Sequence, residues 1–420
     1  MTAAQRHTAG VRAEAGEVAA ARIHRVAFVL SALVFTLGAC GDGTGPSRAP
    51  FVQLSAGGSS TCGLTAEGAA YCWGGNSSGQ IGDGTTVSRT TPTAVGGILR
   101  FRTIVVGATH VCGLTLAGSA AVCWGENSFG QLGDETTTTR PYSAAVTGGL
   151  VFQTLSAHGG WHTCGLTVTG AVYCWGANGS GQVNGGNCGV EPHFLYWICN
   201  PFNRPYPVLV RDASGSIPQF RAIEAGGRHT CGVTTDGTTF CWGGNEWGQL
   251  GDTTGTYPGL PPYGPVPLPA SLTLRTAAVG GEHTCALDAA GATFCWGANG
   301  SGGLGIGALD SSRFPPTPVV GGLTFQALAL GDQHSCGRRS DGSVYCWGNN
   351  AEGAVGDGTQ TNRTSPVATL GGLTFASITA GARHTCGLTV EGEAWCWGDD
   401  YFGQLGDGRT GFQTTPVRVR

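Results

Sequence analysis

The chain has 420 residues, 75 of them glycine, with 11% charged residues and a formal net charge of -4. All 22 basic residues are arginine and they form no basic stripe, so nothing in the composition favours a nucleic-acid partner. Glycine this frequent without a Gly-X-Y triplet excludes collagen. Its dispersal among Val, Leu, Phe, Tyr and Trp fits short strands joined by tight turns.

The first recognisable element is near the N-terminus. Arg22, His24 and Arg25 precede an apolar run from Val26 to Leu37, too short to span a bilayer but of the length of a signal h-region. It ends in Leu37-Gly38-Ala39-Cys40, which resembles the bacterial lipobox. That resemblance implies a lipoprotein signal peptide over residues 1–39, cleavage before Cys40 and acylation of its thiol; ordinary signal cleavage nearby is the alternative. Residues 40–50 then read as a lipid-anchored flexible tether. Gly41 is not the Asp expected of inner-membrane retention, so the expected location is the bacterial cell envelope, at the outer membrane or cell surface.

From Phe51 the chain repeats. Cys-Trp-Gly begins at Cys72, Cys123, Cys174, Cys241, Cys295, Cys346 and Cys396, at intervals of 51, 51, 67, 54, 51 and 50 residues. A near-constant period of this size marks one supersecondary unit stacked many times. The last copy shows its parts: Phe375-Ala-Ser-Ile-Thr-Ala, His384-Thr-Cys-Gly-Leu-Thr, Ala394-Trp-Cys-Trp-Gly and Thr415-Pro-Val-Arg-Val. Alternating apolar residues between glycine turns predict four strands per unit. Seven such units predict an all-β fold over residues 51–420, a seven-bladed β-propeller of four-stranded antiparallel blades. The chain starts on a first strand and ends on a fourth. The expectation is a ring closed by pairing the N-terminal and C-terminal strands in one blade, which would remove unpaired edges.

Cysteine spacing predicts disulfides within the units. A hairpin centred near Glu67 puts Cys62 opposite Cys72, and directly opposed residues have Cα atoms roughly 4.5–5.5 Å apart, within bridging range. A spacing of ten or eleven residues likewise pairs Cys112/Cys123, Cys164/Cys174, Cys231/Cys241, Cys285/Cys295, Cys336/Cys346 and Cys386/Cys396, and an eighth pair, Cys188/Cys199, falls in an insertion. Such bonds persist in an oxidising compartment, in agreement with export.

The motif Ala-Gly-x-x-His-Thr-Cys-Gly-Leu-Thr…Tyr-Cys-Trp-Gly-x-Asn-x-x-Gly-Gln-Leu-Gly resembles the repeats of the regulator of chromosome condensation family, over essentially all of residues 51–420. The resemblance implies a seven-bladed propeller whose function is not given by its fold: the eukaryotic namesake exchanges nucleotide on a small GTPase, and a secreted bacterial relative inhibits β-lactamases.

Chemistry-bearing residues are few. His110, His162, His229, His283, His334 and His384 each precede a bridged cysteine by two, so they share one strand face with it. A His-x-Cys metal site would need those cysteines free, and unit one has Ser60 in the histidine slot. The expected role is an imidazole hydrogen-bonded to neighbouring backbone, with no metal and no cofactor. No nucleophile triad, carboxylate pair or phosphate loop stands out, so no enzyme activity is expected. The Gly-x-Gly strings, such as Gly82-Asp83-Gly84, read as turns and lack the ligand series of an EF-hand.

Strand alternation puts the one-two turns and the long three-four connections on one face, where binding residues tend to be displayed. The variable slot of Asn-x-x-Gly reads Ser78, Phe129, Ser180, Trp247, Ser301, Glu352 and Phe402, with Tyr401 adjacent. Trp161, Arg228, Glu282, Asp332 and Arg383 fall in the one-two turns. Two insertions add Tyr196, Trp197 and Phe202 in unit three and Tyr257 and Tyr263 in unit four. They either build one aromatic wall or pack on each other. The candidate partner-binding set is therefore Phe129, Trp161, Tyr196, Trp197, Phe202, Trp247, Tyr257, Tyr263, Tyr401 and Phe402. The expected function is recognition of a protein or other macromolecule by a monomeric, exported propeller; a secreted enzyme inhibitor and a carbohydrate-binding or hydrolytic propeller are the alternatives.

Overall fold

The computed structural model describes residues 50–184, 188–190, 197–199, 203–212, 214–252, 264–269 and 272–420. Seven four-stranded antiparallel sheets follow one another along the chain, over residues 51–94, 101–145, 152–209, 220–267, 274–318, 327–368 and 377–418. We number them blades 1 to 7. The fold class is the one the period predicts.

Within each blade the strands follow chain order outward. Blade 1 shows the pattern with Phe51–Ala56, Ser60–Thr65, Ala70–Gly74 and Arg89–Ala94. Its second strand is buried throughout, because neighbouring blades cover both faces, whereas its fourth strand is half-exposed at the rim. That is why the second strand reads as an unbroken Ser-Thr-Cys-Gly-Leu-Thr of small and apolar residues.

The predicted bridges form in all seven blades. Cys62 lies opposite Cys72 in the strand register, and the paired Cα atoms are 4.1 Å apart in every one. In the blade 3 insertion, Cys188 is the register partner of Cys199 in a two-stranded ribbon. Of Cys188, Trp197 and Cys199 only the backbone is described.

Blades are joined by a recurring set of contacts. The tryptophan of Cys-Trp-Gly is fully buried in each blade and stacks or tilts against the first-strand phenylalanine where one is present, as in Phe51–Trp73 at 5.8 Å. Its indole Nε1 donates to a backbone carbonyl of the preceding blade: Trp124 to Gln80 and Trp175 to Gln131, at 3.0 and 2.9 Å. Trp242 is the exception, with no partner for Nε1. Around the axis, one-two turns bond backbone to backbone from blade to blade, as in Gly58 N to Gly107 O at 3.0 Å and Ala108 N to Gly160 O at 2.8 Å. A glycine begins this turn in every blade except blade 3, which has Ala157; at Gly57 the approach requires it, since a Cβ there would collide with the Gly107 carbonyl oxygen.

Ring closure differs from the expectation. The first strand (Phe51–Ala56) belongs to blade 1 and the last (Gly411–Arg418) to blade 7, so the chain ends share no sheet. Blade 7 instead packs on blade 1 as any blade packs on its neighbour. Phe51, Leu54 and Trp73 share a buried cluster with Cys386, Leu388, Cys396 and Leu405. Phe51 N donates to Gly392 O, Ala382 N to Gly58 O and Trp73 Nε1 to Gln404 O, at 3.1, 3.1 and 2.9 Å. Each blade is complete from consecutive strands, so the seventh seam needs no exchanged strand. The side-to-side contacts that close the other six close this one too.

The signal segment, Cys40 and nearly all of the tether lie outside the described residues. So do Tyr196, Phe202, Tyr257 and Tyr263.

Candidate functional site

The Asn-x-x-Gly turn carries the variable slot on a rigid frame. The asparagine Oδ1 accepts the backbone N–H five residues on, as in Ile81 N to Asn76 and Leu132 N to Asn127, both 2.9 Å. The slot residue's own N–H donates to the glutamine two positions later: Phe129 to Gln131, Trp247 to Gln249 and Phe402 to Gln404, each 2.9 Å. Both side chains are buried, so the turn is held from beneath while the slot side chain is free to vary. This is how the fold presents large aromatics without spending core volume on them.

The one-two turns and the three-four connections do share a face. A funnel of about 590 Å³ opens at one end of the axis, lined by one-two turn residues of all seven blades together with Asp399 and Phe402 from the three-four connection of blade 7. Trp161 and Phe402 stand in its mouth, both exposed, and Tyr401 beside Phe402 is 78% exposed. Trp247 occupies the equivalent slot in blade 4 and is also exposed. Phe129 is only half-exposed, because its ring packs edge-on against Trp161 of the next blade, centroids 5.6 Å apart.

Charged side chains alternate with these rings. Arg383 pairs with Glu352 at 3.1 Å, and Arg228 with Glu246 at 3.4 Å. Glu282, Asp332 and Asp399 complete the charged part of the lining. The mouth therefore mixes signs. The opposite face has exposed large hydrophobics of its own, but they are aliphatic: Ile98, Leu116, Val168 and Val390.

The six histidines take a role different in detail from the one expected. Each is buried, and its Nε2 meets a side-chain hydroxyl of the next blade, not backbone: His110–Thr163, His162–Thr230, His229–Thr284, His283–Ser335, His334–Thr385 and His384–Thr61, at 2.7–2.9 Å. The hydroxyls donate to a backbone carbonyl, as Thr61 does to Gln404 O at 2.9 Å, so the imidazole Nε2–H is the donor. Burial holds these imidazoles neutral, with pKa values pushed down to about 4 for His110 and about 3 for His162. No cluster of three or more His, Cys, Asp or Glu suited to a metal occurs among the described residues.

The Gly-Asp-Gly-Thr strings are turns, as expected. Asp83 accepts from Thr85 N at 2.9 Å and from Arg89 Nε at 2.8 Å. Hydrogen bonds from Thr85 and Arg89 outweigh the cost of burial and hold its carboxyl below the ordinary range. Blades 2 and 6 repeat the arrangement with Asp134–Arg140 and Asp357–Arg363.

A family model described as the RCC1-like domain matches residues 38–335 and, overlapping, 123–420. The ultraviolet-B receptor UVR8 of Arabidopsis thaliana is 30% identical over 272 residues, 63% of this chain and 56% of the receptor. The human E3 ubiquitin-protein ligase HERC2 is 30% identical over 316 residues, 73% of this chain but 6% of the ligase. The chain thus spans about half the length of the first relative and a small part of the second. Among solved structures, Prp20p of Saccharomyces cerevisiae superimposes with a TM-score of 0.72 at 21% identity, covering 85% of this chain and 87% of that one. Human WBSCR16 gives 0.69 at 21% identity, covering 81% and 87%. At that identity the structures speak for the fold alone. The family match extends over all seven blades, and the chain belongs to the RCC1-like domain family.

Proposed function

We propose that this chain is an exported, lipid-anchored binding propeller that recognises a protein through its long-loop face. The observation that carries the reading is the grouping of Trp161, Phe402, Tyr401 and Trp247, all exposed and on rigid turns, around a funnel edged with both signs of charge. Aromatic anchors on a preorganised frame supply contact area at low ordering cost, and mixed charge at the rim favours a partner of complementary pattern. The yeast relative Prp20p is described by its binding to Gsp1p and histones, which supports protein recognition as a use of this fold. Seven disulfides support an oxidising compartment, and the lipobox-like Leu37–Cys40 segment supports an envelope anchor.

The test is affinity capture from the native envelope with the mature protein. It is compared with a variant carrying alanine at Trp161, Trp247, Tyr401 and Phe402, each fold-checked by its disulfide content. The expected result is a specific protein retained by the native chain and lost by the variant. Equal capture by both chains would reject this face.

A further inference from the structure

Blade 7 breaks a rule the other six obey. In blades 1 to 6 the turn begins with Asn76, Asn127, Asn178, Asn245, Asn299 or Asn350, and the side-chain Nδ2 donates into a nest of oxygens. For Asn350 these are Asp357 Oδ1, Thr359 O, Thr359 Oγ1 and Thr361 O, at 3.1, 2.9, 3.2 and 3.2 Å. The nest comes from the residues seven, nine and eleven positions on. In blade 7 the asparagine is replaced by Asp400.

The frame is unchanged by the replacement. Asp400 Oδ1 accepts from Leu405 N at 2.8 Å, as asparagine Oδ1 does elsewhere. Asp407, seven positions on, accepts from Arg409 N at 2.9 Å in the turn that Asp357 makes with Thr359 N. Asp400 Oδ2 therefore takes the position that an Nδ2 donor holds in the other blades. It is buried without a hydrogen-bond partner, in a residue with no solvent exposure.

A second change compounds the first. In blades 1, 2 and 6 the aspartate of the nest is neutralised by an arginine opposite the glycine of Cys-Trp-Gly: Arg89, Arg140 and Arg363. In blade 7 that register position, opposite Gly398, is Gln413. One pocket thus gains a carboxylate and lacks the arginine of that register position. Asp399 lies beside Asp400 and adds to the negative potential, while Arg420 packs its guanidinium by Gly408.

We propose that the blade 7 turn binds a Ca²⁺ ion between the carboxylates of Asp400 and Asp407, with the backbone carbonyls of Arg409 and Gly411 as further ligands. The donor set is all oxygen, mixes carboxylate with carbonyl, and leaves positions for water, the coordination a hard cation of this size takes. The adjoining exposed residues 408–410 give the ion a route in from solvent. Burial and the neighbouring carboxylates push the Asp400 carboxyl up to about 7, the cost that a bound cation removes. Tyr401 and Phe402 follow Asp400 directly, so an ion there would fix the root of the aromatic turn.

The experiment measures thermal unfolding and Tb³⁺ luminescence of the chelator-treated mature protein at pH 7.5, titrated with Ca²⁺ or Mg²⁺. Native, Asp400→Asn and Gln413→Arg chains are compared. A saturable rise in the native midpoint with Ca²⁺ is expected, together with Tb³⁺ emission sensitised by the neighbouring tryptophans and displaced by Ca²⁺. Asp400→Asn restores the amide of the other blades, so its midpoint without metal should match that of the Ca²⁺-loaded native chain and not respond to Ca²⁺. Gln413→Arg should weaken binding at least about tenfold. The proposal is overturned by a native midpoint indifferent to both ions, which would mean that Asp400 holds a proton instead. A Ca²⁺ response that persists undiminished in Asp400→Asn overturns it equally, and so does a failure of Tb³⁺ to bind.

Discussion

His384 Nε2 lies 2.8 Å from Thr61 Oγ1, a contact between residues 323 apart that joins the last blade to the first. The same pair spans five of the other six seams. The exception is the seam between blades 1 and 2, where Ser60 replaces the histidine and Val111 replaces the hydroxyl residue it would meet. The imidazole and its hydroxyl partner are lost together, which removes the larger of the buried polar groups, although the Ser60 hydroxyl is itself left buried without a partner.

That coupling is testable by a double-mutant cycle. Thr61→Val should cost about 1–3 kcal/mol, since it orphans both the His384 Nε2–H and one acceptor site on Gln404 O. Adding His384→Ser to it should cost less than the sum of the two single changes, reproducing the Ser60/Val111 seam. Denaturant unfolding of the oxidised chains measures it; strict additivity would mean the two side chains act independently.

Acid should loosen the ring before it titrates most carboxylates. Burial lowers the imidazole pKa of His110 and His283 to about 4, and of His162, His229, His334 and His384 to about 3, from 6.5. The unfolded chain therefore binds more protons than the folded one below pH 6.5. Stability from this source is complete above 6.5 and declines as pH falls toward 4 and 3. His158, raised by its Glu224 partner against burial, and Asp400, raised by burial, act with the opposite sign. Unfolding midpoints from pH 8 to 4 should fall with a slope of several protons, and each His→Gln variant should flatten it.

The bridges should be independent of one another. Removing the blade 6 pair with Cys336→Ala and Cys346→Ala should destabilise by about 2–3 kcal/mol on the chain-entropy account of a short loop. The other six bridges should stay formed, read as unreactive thiols by mass spectrometry after alkylation without reductant. Scrambled pairing would show that this hairpin does more than close its own loop.

Gly406→Ala should be severe for its position in a surface connection. A Cβ there would lie 2.7 Å from Trp73 Nε1, and the residue has φ +71°, which L side chains rarely adopt. Together the strain and the displaced indole should cost roughly 1–3 kcal/mol. They should also shift tryptophan fluorescence, because Trp73 is the buried wedge at the closing seam. A neutral effect would mean that the seam repacks without cost.

Much of the fold was legible because a repeat restates its message seven times. The two-residue alternation of the strands, the hairpin arithmetic of Cys62 and Cys72, and the parity that sends Trp161 and Phe402 to one face all follow from local rules. What escaped were relationships across seams. The partner of His384 is Thr61, and nothing local in either segment announces the other. Asp400 is the one Asp among seven Asn-x-x-Gly turns, two residues before the variable slot, so its signal is a single departure from an otherwise constant position. Ser60 and Val111 are departures of the same kind, each the one exception at a repeated position of the seam contact.

From residues alone came the number of blades, the bridging pattern and the face that carries the aromatics, because each depends on spacing within about fifty residues. Tertiary structure alone decided that the ring closes by packing blade 7 on blade 1 with no strand shared between the chain ends. It also decided that buried imidazoles bond to hydroxyls of the next blade, and that Asp400 Oδ2 is left buried without a hydrogen-bond partner. The physical reason is the same in each case. Hydrogen bonds within a blade are set by chain direction and register, whereas contacts between blades depend on how far each wedge is turned about the common axis.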